Sequence, residues 1–281
     1  MGGPLLDLRA SLTVFVSTVG YPTFDDCLEH LAAQDCAFRL EIVDHVAPMS
    51  AALQRMMDEC ATPYFVQVDE DMLLYPHAVR TLYQRLSAMD ARVAQYVCAL
   101  YDVHLEQAIY ALKIFRHGIV ARYPYRDVAG CEWDQIRRFR ADGYVDVRVP
   151  LAGATRDSEN TLGLHGTCWT PSTVYLRYCV LELMRRRGNK TYAWVVDAAH
   201  TFLRRFLETR SEIDFHALMG VLAGALSASD TRGKEKDFRE YGRTPGFAPL
   251  QRFADEARRG WHDNEPLRPG EFHADVLQNE R

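Results

Sequence analysis

The chain has 281 residues, enough to bury one large core or one domain with a helical extension. Its ordinary composition, 48% hydrophobic and 25% charged without a low-complexity tract, excludes a disordered or fibrous chain. A formal net charge of −5 argues against non-specific binding to nucleic acid, and no nucleic-acid partner is expected. The charge is uneven: residues 1–80 carry twelve acidic and four basic residues, and the remainder has a slight basic excess. An acidic half accepts a phosphorylated ligand only if a metal or the basic half supplies positive charge. The seven scattered cysteines form no C-x-x-C pair, which fits buried thiols in a reducing compartment better than disulfides or a zinc site. Neither a secretory leader nor an apolar run of ~20 residues is visible. The expectation is a cytoplasmic protein without a transmembrane segment, any membrane contact being peripheral.

In chain order, Leu12–Val19 reads as a first strand closed by Gly20-Tyr21-Pro22. Thr23 with Asp26 makes a capping box, and Phe24, Cys27, Leu28 and Leu31 follow at helical spacing. Leu40–Asp44 is a second strand, and Met49 to Cys60 a second helix. Pro63 then opens a third, buried strand rich in aromatic and β-branched residues, which ends in the acids Asp69-Glu70-Asp71. Strand, helix, strand, helix, strand implies a parallel sheet with its ligand crevice at the carboxyl ends of the strands. Pro76 opens a third helix, Arg92–Tyr101 is another strand, and Ala108–Ile119 reads as a strand pair with Lys113 and Arg116 at its edge. Gly130-Cys131-Glu132-Trp133-Asp134 precedes a short helix that runs through Arg140 and ends near Gly143, and Tyr144 to Val149 alternates as a last strand. Residues 151–171 read as a loop rich in Gly, Thr and Ser.

From Ser172 three helical runs follow, at about 172–187, 191–208 and 212–227, with stripes that include Val174, Leu181, Trp194, Val195, Phe202, Phe206 and Phe215. The Arg185-Arg186-Arg187 run reads as a solvated helix end, and Asp197 with His200 as a structural pair. Beyond Asp230 the chain is polar and Pro/Gly-rich, apart from a short helix at 249–259. The division expected is 1–171 as an α/β domain, 172–230 as helical extension, and 231–281 as a wrapping or partly mobile tail.

Chemistry concentrates at the end of the third strand, in Asp69-Glu70-Asp71. If the backbone stays near-extended, Asp69 and Asp71 point to one side and Glu70 to the other. Two carboxylates converging at the end of a buried strand are costly unless a cation joins them. Hard oxygen ligands on one or two side chains, completed by phosphates and water, describe a Mg²⁺ or Mn²⁺ nucleotide site. A solvated acidic turn is the competing reading.

Taken together, these residues resemble a known family. Leu12 to about Leu151 is similar to the GT-A-fold domain of nucleotide-sugar glycosyltransferases, and most similar to the large family 2. The opening Val14-Phe15-Val16-Ser17-Thr18-Val19-Gly20-Tyr21-Pro22 resembles the family's first strand–helix unit. Ile42-Val43-Asp44 resembles the strand whose acid meets the nucleobase, and Asp69-Glu70-Asp71 has the form of the D-x-D motif. Cys131-Glu132-Trp133-Asp134 through Tyr144 resembles the acid-bearing helix, with Glu where Asp is usual. The fold implied is α/β, a Rossmann-like, mostly parallel mixed sheet flanked by helices with a helical extension.

The activity implied is metal-dependent transfer of a sugar from a UDP-sugar (GDP-sugar second) to an acceptor hydroxyl on a glycan, glycolipid or small molecule. Mechanism is expected to be inverting. The resemblance puts Thr18, Tyr21, Asp44, Asp69 and Glu70 around the nucleotide, and Asp69 and Asp71 on Mn²⁺ or Mg²⁺. It asks for a third ligand from a later loop, for which His165 is the candidate; imidazole favours Mn²⁺. Glu132 would be the general base, beside the metal site, with Asp134 a helix-start acid or acceptor contact. Trp133 and Trp169 could stack on sugar or base, though core packing is the commoner fate of Trp. Two other readings remain: a nucleotidyltransferase, which should show a glycine-rich phosphate loop absent at residues 18–22, and a non-catalytic module that dimerises through the C-terminal helices.

Overall fold

A computed structural model of the protein describes residues 5–128, 130–167, 169–187 and 193–226; side chains at 183–187, 193–199 and 225–226 are not described. Outside the described residues or side chains lie the Arg185-Arg186-Arg187 run, the Asp197–His200 pair, Trp194, Val195, Cys168, and the tail with its helix at 249–259.

The first 69 residues fold as the sequence pattern requires. A stub, β1 (Leu6–Asp7), is followed by β2 (Leu12–Thr18) and α1 (Phe24–Ala32). After β3 (Cys36–Ala37), which pairs with β1, come β4 (Arg39–Asp44), α2 (Met49–Glu59) and β5 (Tyr64–Asp69). β2 lies between β4 and β5 and is parallel to both. The capping box at Thr23 does not form: Thr23 is itself helical in backbone and makes no side-chain cap.

The chain continues through β6 (Met72–Leu74), α3 (Ala78–Ala88), β7 (Val93–Asp102), β8 (Gln107–Arg116), α4 (His117–Val120), α5 (Cys131–Ala141), β9 (Val145–Arg148) and β10 (Thr161–His165). The large sheet has the order β4-β2-β5-β8-β7-β10-β6. β9 and β10 share one edge of β7, β9 along its first half and β10 along its second. β8 and β6 run against the other six strands, so the sheet is mixed and mostly parallel.

Two expectations are corrected here. Residues 108–119 are not a strand pair: β8 is one ten-residue strand in the middle of the sheet, followed by α4. Arg116 therefore does not stand at an edge, and its guanidinium donates to Leu86 O (2.7 Å) and Met89 O (2.9 Å) at the end of α3. Nor is 151–171 all loop, because β10 fills the gap between β7 and β6. Gly163 permits that fit: a Cβ there would lie 2.5 Å from Leu73 O.

Both faces of the sheet are covered, which is why β7 is almost wholly buried and reads as a largely apolar run broken only by Gln95 before its terminal Asp102. α1 and α3 pack on one face through Cys27, Leu31, Val79, Leu82 and Leu86. α2 and α5 pack on the other through Leu53, Met56, Ile136 and Phe139. α6 (Pro171–Arg187), α7 (Ala193–Thr209) and α8 (Glu212–Leu226) have a core of their own, around Val174, Tyr178, Phe202 and Val221, against which Leu105 and Trp169 pack.

Candidate active site

The carboxyl ends of β2, β4 and β5 open into a cavity of about 260 Å³. Val43, Val46, Met49, Ala52 and Leu53 form an apolar wall, and Ser17, Thr18, Tyr21, Asp69, Glu70 and Asp71 the floor. His165, Trp169 and Arg177 close it from the side of β10 and α6.

The three acids do different work. Asp69 ends β5 and accepts a hydrogen bond from Ser17 Oγ (2.7 Å). At Glu70 the chain turns, so the near-extended geometry expected for the triplet is not realised. Glu70 is buried, accepting from Thr18 Oγ1 (2.5 Å) and from the backbone N–H groups of Val19 and Tyr21 (2.8 Å each). It ties the β2–α1 loop to the end of β5 and has little capacity left for a nucleotide.

Asp71 faces the cavity between two cationic or metal-binding groups. Its Oδ2 is 3.3 Å from His165 Nε2 and 3.6 Å from Arg177 Nη1. His165 is not a loop residue; it ends β10, buried, with Nδ1 2.9 Å from Asp102 Oδ2. Asp102 also accepts from Leu105 N (2.7 Å). Burial alone would raise the Asp102 pKa, but the hydrogen bond and charge of His165, with Arg177, hold it below the usual value. With Nδ1 directed at the ionised Asp102, a neutral His165 would present its Nε2 lone pair toward Asp71, and a protonated one an N–H.

Two electron-pair donors 3.3 Å apart repel unless a cation or proton lies between them. The donor set, imidazole and carboxylate with a second carboxylate behind the imidazole, fits a divalent ion that takes its other ligands from phosphate and water. Among the described residues no group of three or more His, Cys, Asp or Glu side chains gathers as a complete metal site. Asp71 and His165 would therefore hold the ion only in part, with Asp69 at the edge of the same cavity.

Arg177 comes from α6, beyond the stretch that carries the family resemblance. Its guanidinium lies 4.6 Å over the Trp169 ring, and its Nε is buried without a hydrogen-bond partner among the described residues. Burial works against its charge, and Tyr178, Asp71 and Asp102 more than offset it, leaving the pKa above that of an ordinary arginine. The sequence signal was available: Arg177 sits three residues after Val174 and four before Leu181, on the stripe of α6 that packs inward. Asp102 gave a weaker signal, an acid closing an apolar strand without a motif around it.

The acid-bearing helix stands elsewhere than beside Asp71. Glu132 lines a second cavity of about 120 Å³, together with Gln95, Tyr110, Lys113, Tyr125, Trp133 and Arg148. The two cavities are neighbours on one sheet face. Gln67 lines the first and Lys113 the second, and these two are opposite each other across β5 and β8. Glu132 is ion-paired with Lys113. Burial, then the charge of Glu132, raise the Tyr125 pKa well above its usual value, so its hydroxyl stays protonated. Asp134 lines neither cavity; it accepts from Arg138 (2.9 Å), with Arg137 and Arg126 at 3.7 and 3.9 Å. Asp44, at the end of β4, is exposed and paired with His45. The six described cysteines are buried and form no disulfide among the described residues; Cys27, whose thiol lies near Asp69 O, is pushed up to about 12 by burial and by Asp71, Asp69 and Glu70.

No protein-family model matches the sequence, and no curated protein matches it. Among solved structures the fold is similar to a mannosyltransferase from Pyrobaculum calidifontis in complex with GDP-Man and Mn²⁺. That likeness has 14% identity over 79% of this chain and 76% of that one, with a TM-score of 0.45. It is also similar to residues 1–349 of S. aureus TarS in complex with UDP-GlcNAc (13% identity, 71% and 74% covered, TM-score 0.40). A third likeness is to 4-diphosphocytidyl-2C-methyl-D-erythritol synthase from Anaerococcus prevotii (6% identity, 53% and 93% covered, TM-score 0.38). Likenesses this distant do not choose between sugar transfer and nucleotidyl transfer.

Proposed function

We propose that this protein is a glycosyltransferase that moves a sugar from a nucleoside-diphosphate sugar to an acceptor hydroxyl. The observation that carries the reading is the pairing of Asp71 with His165 at 3.3 Å, backed by Asp102, in a cavity with one apolar and one polar wall. Val43, Val46, Met49 and Leu53 suit a nucleoside, with a UDP-sugar the first choice and a GDP-sugar the second. Asp71 and His165 would hold Mn²⁺ or Mg²⁺, which when bound neutralises the leaving diphosphate and orients it. Arg177 offers an unspent N–H and a positive charge on the same side, offsetting the acids that would otherwise repel phosphate.

Glu132 is the base in this reading. Its carboxylate takes the proton from the acceptor hydroxyl, whose oxygen bonds to the anomeric carbon as the bond from that carbon to the diphosphate oxygen breaks. The diphosphate leaves with the electron pair, and the configuration inverts. The nucleotidyltransferase reading loses support at the β2–α1 loop. The amides of Val19 and Tyr21, which a phosphate would need, are already donated to Glu70.

Thermal unfolding with UDP or GDP, each in Mn²⁺ and in EDTA, tests the site. Stabilisation should require the metal, and should reach roughly 2.7 kcal/mol at about 100 times Kd. Equal stabilisation in EDTA would remove the metal-dependent reading.

A further inference from the structure

The second cavity is built for more than a base. Its charged lining is Lys113, Arg148 and one acid, Glu132. Arg148 is fixed: its guanidinium lies 4.4 Å over Trp133 and 5.4 Å over Tyr110, and its Nε donates to Asp146 (2.8 Å). Asp146 is also paired with Arg140, so one carboxylate serves two guanidinium groups and positive charge is left over. Gln95 Nε2, on β7 in the wall of the cavity, is buried without a hydrogen-bond partner among the described residues. An amide donor left unpaired in a buried position carries a free-energy cost that a ligand acceptor atom would remove.

We propose, resting on the glycosyltransferase reading, that this cavity is the acceptor subsite and that it selects acceptors bearing a phosphate or carboxylate near the reacting hydroxyl. Lys113, Arg148 and Gln95 are the groups that receive the anion. Lys113 has a second consequence. While it is paired with Glu132 it holds the carboxylate oxygen that must take the hydroxyl proton. An incoming anion gives the ammonium another partner and releases Glu132; a neutral acceptor offers no such exchange. Charge complementarity thus supplies both affinity and the freeing of the base.

The test is calorimetric titration of the full chain in EDTA, without donor, with three probes: glycerol 3-phosphate, glycerate and glycerol. The phosphate or the carboxylate probe should bind and glycerol should not, and the two acidic arms report which anion the site prefers. Lys113→Met should weaken the anion about tenfold or more, the usual effect of losing a charge-assisted hydrogen bond. Arg148→Gln, checked for an intact unfolding transition, should do the same. Glu132→Gln should tighten anion binding several-fold, because it removes the carboxylate that competes with the anion for Lys113. Equal binding of all three probes, or anion binding indifferent to both Lys113→Met and Arg148→Gln, would overturn the proposal. Stabilisation by UDP with Mn²⁺ is read in parallel: its failure beside intact anion binding would sink the donor reading and the acceptor role, and leave an anion site.

Discussion

Asp71 can answer either to Arg177 or to a metal ion beside His165, and which it does should depend on the ligand. Without metal, its Oδ2 has the His165 ring at 3.3 Å and the Arg177 guanidinium at 3.6 Å. With metal and diphosphate bound, Asp71 and His165 would face the ion and Arg177 would be free to reach phosphate oxygens. Asp71→Ala should therefore abolish the Mn²⁺ dependence of UDP stabilisation while the unfolding transition stays cooperative; retained dependence would move the site elsewhere. Asp102→Asn tests the layer behind. An amide no longer holds the His165 Nδ1 proton as an ionised carboxylate does, so Mn²⁺ affinity should fall roughly 10–100-fold, measured by titration with the fold intact. In the proposed reading, Glu132 is the residue on which mechanism turns. Glu132→Gln should lower kcat by roughly 10²–10⁴-fold with donor affinity nearly unchanged, because a base acts in the transition state and not in donor binding. Wild-type turnover in that variant would favour a retaining mechanism, which the anomeric configuration of the product would decide. The two acids and the histidine around the first cavity were visible in sequence because motif and spacing announce them. Arg177 and Asp102 had only a position on a helical stripe and the end of an apolar strand to mark them, since each acts through a tertiary neighbour more than sixty residues away in the chain.

At the scale of elements, the strands missed in sequence are the ones that exist only through their neighbours. β10 is Thr161-Leu162-Gly163-Leu164-His165, a sequence with a glycine at its centre and weak strand propensity. It forms because the second half of β7 would otherwise present an unpaired edge beside β6. β8 looked like a hairpin because Lys113 and Arg116 interrupt its apolar run; both charges are instead satisfied inside the fold, by Glu132 and by the carbonyls closing α3. By contrast β2, β4, β5 and the helices between them carry their own periodicity, and their boundaries agree with the pattern to within a residue or two. Gly163 is where element geometry meets the site. An added Cβ would meet Leu73 O at 2.5 Å and Leu74 Cα at 2.9 Å, both backbone atoms of β6. Gly163→Ala must push β10 away from β6, which costs about 1–3 kcal/mol as overpacking. The same movement displaces His165 from Asp71. Thermal unfolding and Mn²⁺ titration should change together; a loss of stability with unchanged metal affinity would show that the shift is absorbed before it reaches His165.

The whole molecule joins a sheet that carries the acids to a helical layer that carries Arg177, and the joint is a buried cluster. His104, in the turn between β7 and β8, has Nε2 3.1 Å from Asp214 Oδ1 on α8 and stacks on Phe202 of α7. Arg205 of α7 donates to Asp214 Oδ2 (3.2 Å) and to His104 O (2.7 Å), and reaches Glu106 at 3.4 Å. The change near residue 172 from alternating strands and helices to helices alone was legible in the pattern. That the helices complete the cavity was not, because no local pattern says which surface a helical stripe will cover. Asp214 gives this joint a pH dependence of known sign. Burial alone would raise its pKa, but the His104 hydrogen bond and the Arg205 charge outweigh it and hold the value below the usual 3.8. A carboxylate depressed in the folded state contributes stability that is present above its ordinary value and is lost as pH falls through the folded one. Asp214→Asn should thus be less stable than wild type by roughly 1.5–3 kcal/mol above about pH 5, the range for a hydrogen bond to a charged group. The difference should shrink below pH 3.8 as wild-type Asp214 becomes protonated. Because α6 packs with Phe202 and Val221 through Val174 and Tyr178, loosening the joint also lets Arg177 and Trp169 drift from Asp71. Affinity for UDP with Mn²⁺, measured at pH 7, should fall in Asp214→Asn alongside stability. A variant with a pH-independent stability deficit and wild-type nucleotide affinity would show that the helical layer holds its place without this cluster.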